Sequence, residues 1–284
     1  MKKYLSLVTF THTIFAMPFA IIGFFLAVTT TQHRFDWQKL VLMILCMVFA
    51  RNSAMAFNRY LDRDIDAQNP RTKQRDIPSG RISAPAALTF TLINCALFIV
   101  ATWFINPLCF YLSPVALFVV LGYSATKRFT ALCHLVLGLG LSLAPIGAYL
   151  VVTGAFALTP LFFSLSVLCW VSGFDIIYAL QDEDFDRDKN LHSIPAYMGK
   201  VNALRLSTFL HVLSALFIMM PVFFTHVGFL YYIGIVFFCA MLIYQHLLVK
   251  PNDLSRVNFA FMTTNGIASV VFAVLFLLDR VWIH

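Results

Sequence analysis

The sequence predicts an all-α, polytopic membrane protein, and three observations predict it. Of the 284 residues, 60% are hydrophobic and only 12% charged, far too apolar for a soluble domain. Apolar runs of about 20 residues, the length that crosses a bilayer, recur nine times. The basic residues between those runs fall on alternate sides. No soluble domain, linker or low-complexity tract interrupts this pattern, so residues 1–284 read as one transmembrane domain.

The predicted spans lie near 5–28, 38–60, 85–105, 108–125, 131–152, 160–182, 203–224, 228–249 and 256–279. The first follows Met1-Lys-Lys and mimics a secretory signal. Its apolar run is too long for one and no small-residue cleavage site follows, so it reads as a retained helix. The third and fourth spans meet at Asn106-Pro107, where the turn must be very short. Lys2, Lys3, Arg71, Lys73, Arg75, Arg81, Lys127, Arg128, Arg187, Lys189, Lys200, Lys250 and Arg256 share one side under a nine-helix count. The other side carries little beyond Arg34, Lys39 and Arg280, and an eight-helix count would scatter the charges. Positive charge marks the cytoplasmic side, which places the N-terminus and the acidic motifs there.

The net charge of +7 does not indicate nucleic acid, because the basic residues line membrane-edge loops. Membrane lipid and an anionic substrate are the partners it suggests. The cysteines are scattered through apolar runs without a C-x-x-C pair, so they read as packing residues, with neither disulfide nor zinc indicated.

Two charged stretches need a chemical account. Asn58-Arg-Tyr-Leu-Asp62-Arg-Asp-Ile-Asp66 closes the second span, and Asp175-Ile-Ile-Tyr178-Ala-Leu-Gln-Asp182-Glu-Asp-Phe-Asp186 closes the sixth. In each, two aspartates stand four apart, on one helix face about one turn from each other. The offset from Asp62 to Asp182 equals that from Asp66 to Asp186, which suggests an internal duplication. Each motif runs into a polar, basic loop broken by Pro and Gly, giving motif loops of about 58–83 and 175–200.

The simplest role for Asp62, Asp66, Asp182 and Asp186 is pairing with Arg59, Arg63, Arg187 and Lys189 at a wet interface. Salt bridges, however, do not require the same spacing in two distant segments. A hard cation does better: Mg²⁺ takes oxygen ligands, typically one or two carboxylates plus substrate phosphate. Two facing Asp pairs would hold Mg²⁺ ions that clamp a diphosphate, with basic loop residues neutralising the remaining charge. Apolar helices beneath would take a hydrocarbon tail. A diphosphate head with an apolar tail describes a polyprenyl diphosphate.

The pair N-x-x-x-D-x-x-x-D and D-x-x-Y-x-x-x-D-x-x-x-D resembles the UbiA-type intramembrane aromatic prenyltransferases. The likeness covers nearly the whole chain. It includes His12-Thr-Ile-Phe15-Ala-Met-Pro18, Tyr123-Ser-Ala-Thr-Lys127-Arg128, His134 with Ala144-Pro145-Ile-Gly147-Ala-Tyr149, and Asn258 with Asn265-Gly266. The run through Leu191-His-Ser-Ile-Pro195 is most similar to the 4-hydroxybenzoate polyprenyltransferase branch.

The resemblance implies nine transmembrane helices around a central cavity, capped by helical cytoplasmic loops, in a bacterial inner membrane. It implies Asp62, Asp66, Asp182 and Asp186 as Mg²⁺ ligands, Asn58 supporting the first site, and Asp175 and Tyr178 flanking the reacting centre. Arg59, Arg63, Lys127 and Arg128 become candidates for diphosphate or acceptor-carboxylate contacts. The implied activity is transfer of a polyprenyl chain to the ring of 4-hydroxybenzoate or a related aromatic acid in quinone biosynthesis. A futalosine-route acceptor and 1,4-dihydroxy-2-naphthoate stay open as alternatives. An ion-coupled transporter is the rival of another class, since intramembrane acids often mark ion pathways. Against it, these acids cluster at one membrane face.

His12 and His134 read first as interhelical hydrogen-bonding groups, Asn94 and Asn265 as polar contacts between helices, and Gly138, Gly140 and Gly147 as close-packing sites.

Overall fold

The computed structural model describes residues 15–283. The main helices among the described residues are α1 (Met17–Thr30), α2 (Trp37–Leu61), α3 (Ala84–Trp103), α4 (Pro107–Thr126), α5 (Cys133–Thr153), α6 (Leu158–Ala179), α7 (Ile194–Met219), α8 (Phe229–Leu248) and α9 (Asn265–Ile283). Among the described residues, eight helical segments are long and apolar enough to cross a membrane; α1 is apolar but shorter. The protein is an all-α integral membrane protein. Residues 5–14 of the first predicted span, His12 included, lie outside the described residues.

Polar side chains cap the starts of α2, α3, α4 and α7. Asp36 accepts from the amides of Gln38 and Lys39 at the head of α2. Asn106 accepts from Cys109 to open α4 after the short turn its sequence calls for, with Pro107 in the first turn. Ser83 and Ser193 do the same for α3 and α7, each followed by a proline. That is why α7 begins at Ile194, well before the 203 expected from hydropathy: Ser193-Ile-Pro195 is a helix start, and the polar residues after it form the first turns. Gly199, at φ 77°, kinks those turns away from the rest of the helix.

Neighbours in sequence pack as neighbours in space, α2 against α3, α3 against α4, α4 against α5, α5 against α6, α6 against α7 and α8 against α9. Helix α1 closes the bundle by packing on α5 and α9. Small residues set the tightest crossings. A Cβ on Gly23 of α1 would strike the Pro145 carbonyl of α5, and one on Gly138 of α5 would meet Ser172 and Leu168 of α6. Gly173 of α6 makes the same allowance for His211 of α7. Gly147, expected as a packing site, has nothing within 4 Å of where its Cβ would stand, and Gly140 meets only Val120 at ordinary distance.

The core is aromatic. Phe19, Phe163, Trp170, Phe238, Phe272 and Phe276 are fully buried and meet ring to ring, tilted or edge-on, across α1, α6, α8 and α9. Other large apolar side chains, such as Trp103, Tyr111 and Phe118, face outward as lipid-facing residues must. At one end, Asp279 of α9 accepts from the amides of Gly228 and Tyr231, capping α8 from another helix. The two aspartate motifs lie at the opposite ends of α2 and α6.

Candidate functional site

Both motifs are built on the same interrupted helix. Helix α2 breaks at Asp62 (φ −89°, ψ 6°) and resumes as a short helix, Arg63–Gln68. Helix α6 tightens into a 3₁₀ turn, Leu180–Asp182, breaks at Asp182 (φ −105°, ψ 6°) and resumes as Glu183–Asp188. The first aspartate of each pair therefore occupies a joint, and the second lies one turn along the short helix. Equal offsets in the sequence correspond to equal joints in the backbone.

Each of the four aspartates meets a different cation. Arg128 donates to Asp62 Oδ1 from two nitrogens, at 3.1 and 2.9 Å, and to the Leu61 carbonyl at 2.8 Å. Arg75 Nη1 reaches both oxygens of Asp66, at 2.8 and 2.9 Å. Arg71 binds Asp182 through Nε, at 3.1 Å, and Nη2. Lys127 Nζ stands 2.7 Å from Asp186 Oδ1. Arg71 follows the first motif yet pairs with the second, and adjacent residues Lys127 and Arg128 pair with different motifs. The two aspartate pairs thus form one charge network.

Polar neighbours complete it. Asn58 donates to Asp62 Oδ2 at 2.9 Å. Asn69 donates to Asp182 Oδ1 at 3.2 Å and accepts from the Arg71 amide, so it shapes the loop and steadies the carboxylate together. Burial pushes the Asp62 carboxyl up to about 6, against the pull of the Arg128 guanidinium. Asp186 is fully buried, and beyond the Lys127 ion pair neither of its oxygens accepts a hydrogen bond.

The pairing differs from the simple interfacial scheme. Arg63 lies against the Tyr60 carbonyl and ring and near Asp64, and Arg187 bonds Glu183. Arg59 lines a cavity of about 410 Å³ with Arg71, Gln74, Arg75, Asp76 and Arg81, beside the first motif. Three of its four arginines are ion-paired, Arg71 with Asp182, Arg75 with Asp66 and Arg81 with Asp76.

Along α6, Asp175, Tyr178 and Asp182 recur at spacings of three and four and so share a face. Tyr178 accepts from Arg71 Nη1 at 2.8 Å, and the Arg71 guanidinium lies 5.1 Å from its ring centre. Its ring stacks on Phe261 at 4.2 Å. Asp175 Oδ2 is 2.6 Å from His134 Nδ1, while His134 Nε2 accepts from the Ile194 amide at 3.3 Å. With Nε2 accepting, the proton sits on Nδ1 and is donated to Asp175. His134 is therefore an interhelical link, as expected, and one that orients a site carboxylate.

Sequence reasoning did not single out Arg71 and Arg75, whose spacing of four mirrors that of the aspartates. Nor did it single out Arg51, a cation inside α2 one heptad before Asn58, hence on the same side of the helix. Phe261 carried no polar signal at all.

The donor set tests for Mg²⁺. Among the described residues no three acidic, imidazole or thiol groups gather about one point. The carboxylates instead form two pairs of hard oxygen donors, one member buried with an ion pair as its only partner. Mg²⁺ is typically held by one or two carboxylates with phosphate and water completing its shell, so the set fits an ion arriving with a diphosphate.

Fold and site together define an integral membrane protein that gathers paired acids and bases at one end of an apolar helical bundle. Residues 16–267 match the UbiA prenyltransferase family. The chain belongs to that family and is a prenyl-transferring membrane enzyme. The 4-hydroxybenzoate octaprenyltransferase of Tolumonas auensis is 30% identical over 237 residues, 83% of this chain and 82% of that protein. The protein of the same description from Vibrio atlanticus is 28% identical over 242 residues, 85% of each chain. A UbiA homolog from Aeropyrum pernix K1, solved in the apo state, has a TM-score of 0.85 at 29% identity, covering 94% of this chain and 98% of that one. A UbiA homolog from Archaeoglobus fulgidus, solved bound to DMAPP and Mg²⁺, shares the fold with a TM-score of 0.77 at 20% identity over 98% and 99% of the chains.

Proposed function

We propose that the protein transfers a polyprenyl chain from polyprenyl diphosphate to the ring of 4-hydroxybenzoate or a closely related aromatic acid, in quinone biosynthesis. The observation that carries this reading is the single charge network uniting two duplicated carboxylate joints above an apolar bundle. Nine helices enclose the prenyl tail in a central cavity, with the short motif helices as a cytoplasmic cap. The motif end faces the cytoplasm of a bacterial inner membrane, following the distribution of basic residues. The 4-hydroxybenzoate enzymes of Tolumonas and Vibrio support this acceptor class over a naphthoate.

Asp62, Asp66, Asp182 and Asp186 would hold Mg²⁺, supported by Asn58. When bound, the ion supplies Lewis-acid neutralisation of the departing diphosphate. Arg71, Arg75, Lys127 and Arg128, which here neutralise the carboxylates, carry the charge to meet diphosphate oxygens, with Arg59 in the adjoining cavity. As the allylic C–O bond breaks, its electron pair leaves with the diphosphate. The ring carbon ortho to the phenol attacks the allylic cation, and the ring proton then passes to a site carboxylate or to the released diphosphate. Tyr178, stacked on Phe261, lines the reacting centre as an aromatic wall. Asp175, held by His134, is aimed at the acceptor beside it. Arg51, an intramembrane cation on the Asn58 side of α2, takes the acceptor's carboxylate. The surrounding apolar walls keep out water that would trap the cation.

The test is prenyl transfer by purified protein in lipid, with polyprenyl diphosphate and 4-hydroxybenzoate, in Mg²⁺ or EDTA. Mg²⁺-dependent product establishes reaction and acceptor. Product only with another aromatic acid keeps the chemistry and moves the pathway. Bound diphosphate donor with no product from any acceptor overturns the proposal.

A further inference from the structure

A fully buried polar junction lies beneath the site, and the reaction as written does not use it. Helix α9 is preceded by a short helix, Val257–Phe259, and a π-helical turn, Ala260–Thr264. A π turn widens the helix and strains its carbonyl ladder, which costs more inside a membrane than in water. Asn265, at the end of that turn, donates from Nδ2 to the carbonyls of Ala260, at 3.2 Å, and Phe261, at 3.0 Å. Thr264 Oγ also donates to the Ala260 carbonyl. The Asn265 side-chain carbonyl accepts from Trp170 Nε1 of α6 at 2.8 Å and from Gln245 Nε2 of α8 at 2.7 Å. Every donor and acceptor position of this amide is in use. One side chain thus fastens the π turn to two other helices.

The turn holds Phe261. Its ring stacks on Tyr178 at 4.2 Å and meets Phe174 and Phe15 edge-on, each at 5.4 Å. An α-helical course through 260–264 would rotate Phe261 relative to α9 and withdraw it from Tyr178.

We propose that Asn265 is a positioning residue for prenyl transfer: by fixing the π turn it seats Phe261 against Tyr178, and this aromatic wall excludes water from the allylic cation. The inference rests on the prenyl-transfer reading. Without the wall, water attacks the cation: prenyl diphosphate and water give prenyl alcohol, diphosphate and a proton. With it, the acceptor ring takes the prenyl group instead.

The experiment compares wild type, Asn265→Ala and Phe261→Leu in lipid with Mg²⁺, polyprenyl diphosphate and the aromatic acid. It measures diphosphate released, prenyl alcohol and prenylated acceptor in the same reaction. Both variants should raise the ratio of alcohol to prenylated acceptor roughly tenfold, the effect of about 1.4 kcal/mol on competing barriers. Phe261→Leu leaves Asn265 and its hydrogen bonds in place and keeps an apolar side chain, so it separates the wall from simple misfolding. Variants that lose rate with an unchanged product ratio overturn the positioning role and leave prenyl transfer standing. A wild-type protein that releases no diphosphate overturns the prenyl-transfer reading itself.

Discussion

Arg71 grips Asp182 through Nε and Nη2 while its Nη1 donates to the Tyr178 hydroxyl, so one guanidinium spans a motif carboxylate and an aromatic side chain one turn before it. This fork geometry requires a planar guanidinium. Arg71→Ala and Arg71→Lys should both raise the KM for prenyl diphosphate, by roughly tenfold, because lysine cannot make the paired contact. Initial rates against donor concentration check this; full recovery by lysine would show that charge alone suffices.

Asp62→Asn and Asp182→Asn should each lower kcat by about a hundredfold or more, since each removes a hard donor where leaving-group charge must be balanced. The thermal unfolding midpoint in detergent should stay close to wild type, because both aspartates border the wet end of the bundle. EDTA should silence the wild type and added Mg²⁺ restore it. Wild-type turnover by either variant would remove the metal role.

Asp186 has its side chain fully buried with Lys127 as ion-pair partner. Lys127→Met leaves that carboxylate uncompensated and should destabilise the protein by on the order of 1–3 kcal/mol, less than a fully buried pair because the lysine itself is partly exposed. Lys127→Met with Asp186→Asn should recover much of the stability and none of the activity. Unfolding curves and prenyl-transfer assays on the same preparations separate the two effects.

Gly23→Ala forces a methyl into the Pro145 carbonyl, backbone against backbone, and should cost about 1–3 kcal/mol. Gly147→Ala meets nothing within 4 Å and should be neutral or slightly stabilising, by roughly 0.5–1 kcal/mol from helix propensity. Equal thermal shifts in the two variants would contradict the α1–α5 crossing described above.

Much of this was legible in the sequence because its strongest signals are local. Apolar length located the spans, and the repeated spacing of four located Asp62, Asp66, Asp182 and Asp186. Asn58 was marked by its place in the motif that carries the family resemblance, and His134 by lying in an apolar predicted helix. Partner choice was not legible. Arg71 reaches across 111 positions to Asp182, and nothing near either residue announces the other. Local charge suggested Arg63 and Arg187 as partners, but helix geometry sends them to Tyr60, Asp64 and Glu183 instead. The start of α7 was missed because hydropathy counts apolar residues, whereas Ser193 and Pro195 begin a helix by capping and backbone restriction. Phe261 was invisible because one more phenylalanine in an apolar run carries no signal until a π turn aims it.

The order in which the chain is made gives the crossed ion pairs a further meaning. Asp182 and Asp186 draw their counter-ions from Arg71 and Lys127, both synthesised earlier. When the ribosome delivers the second motif to the membrane edge, its partners are already in place. Asp62 must instead wait for Arg128. The first half of the molecule therefore emerges with an acid unbalanced, and balance is reached only as the connecting segment arrives. Severed between its repeats just before Lys127, the chain would leave two of its four motif aspartates, Asp62 and Asp182, without their cations until the halves met again.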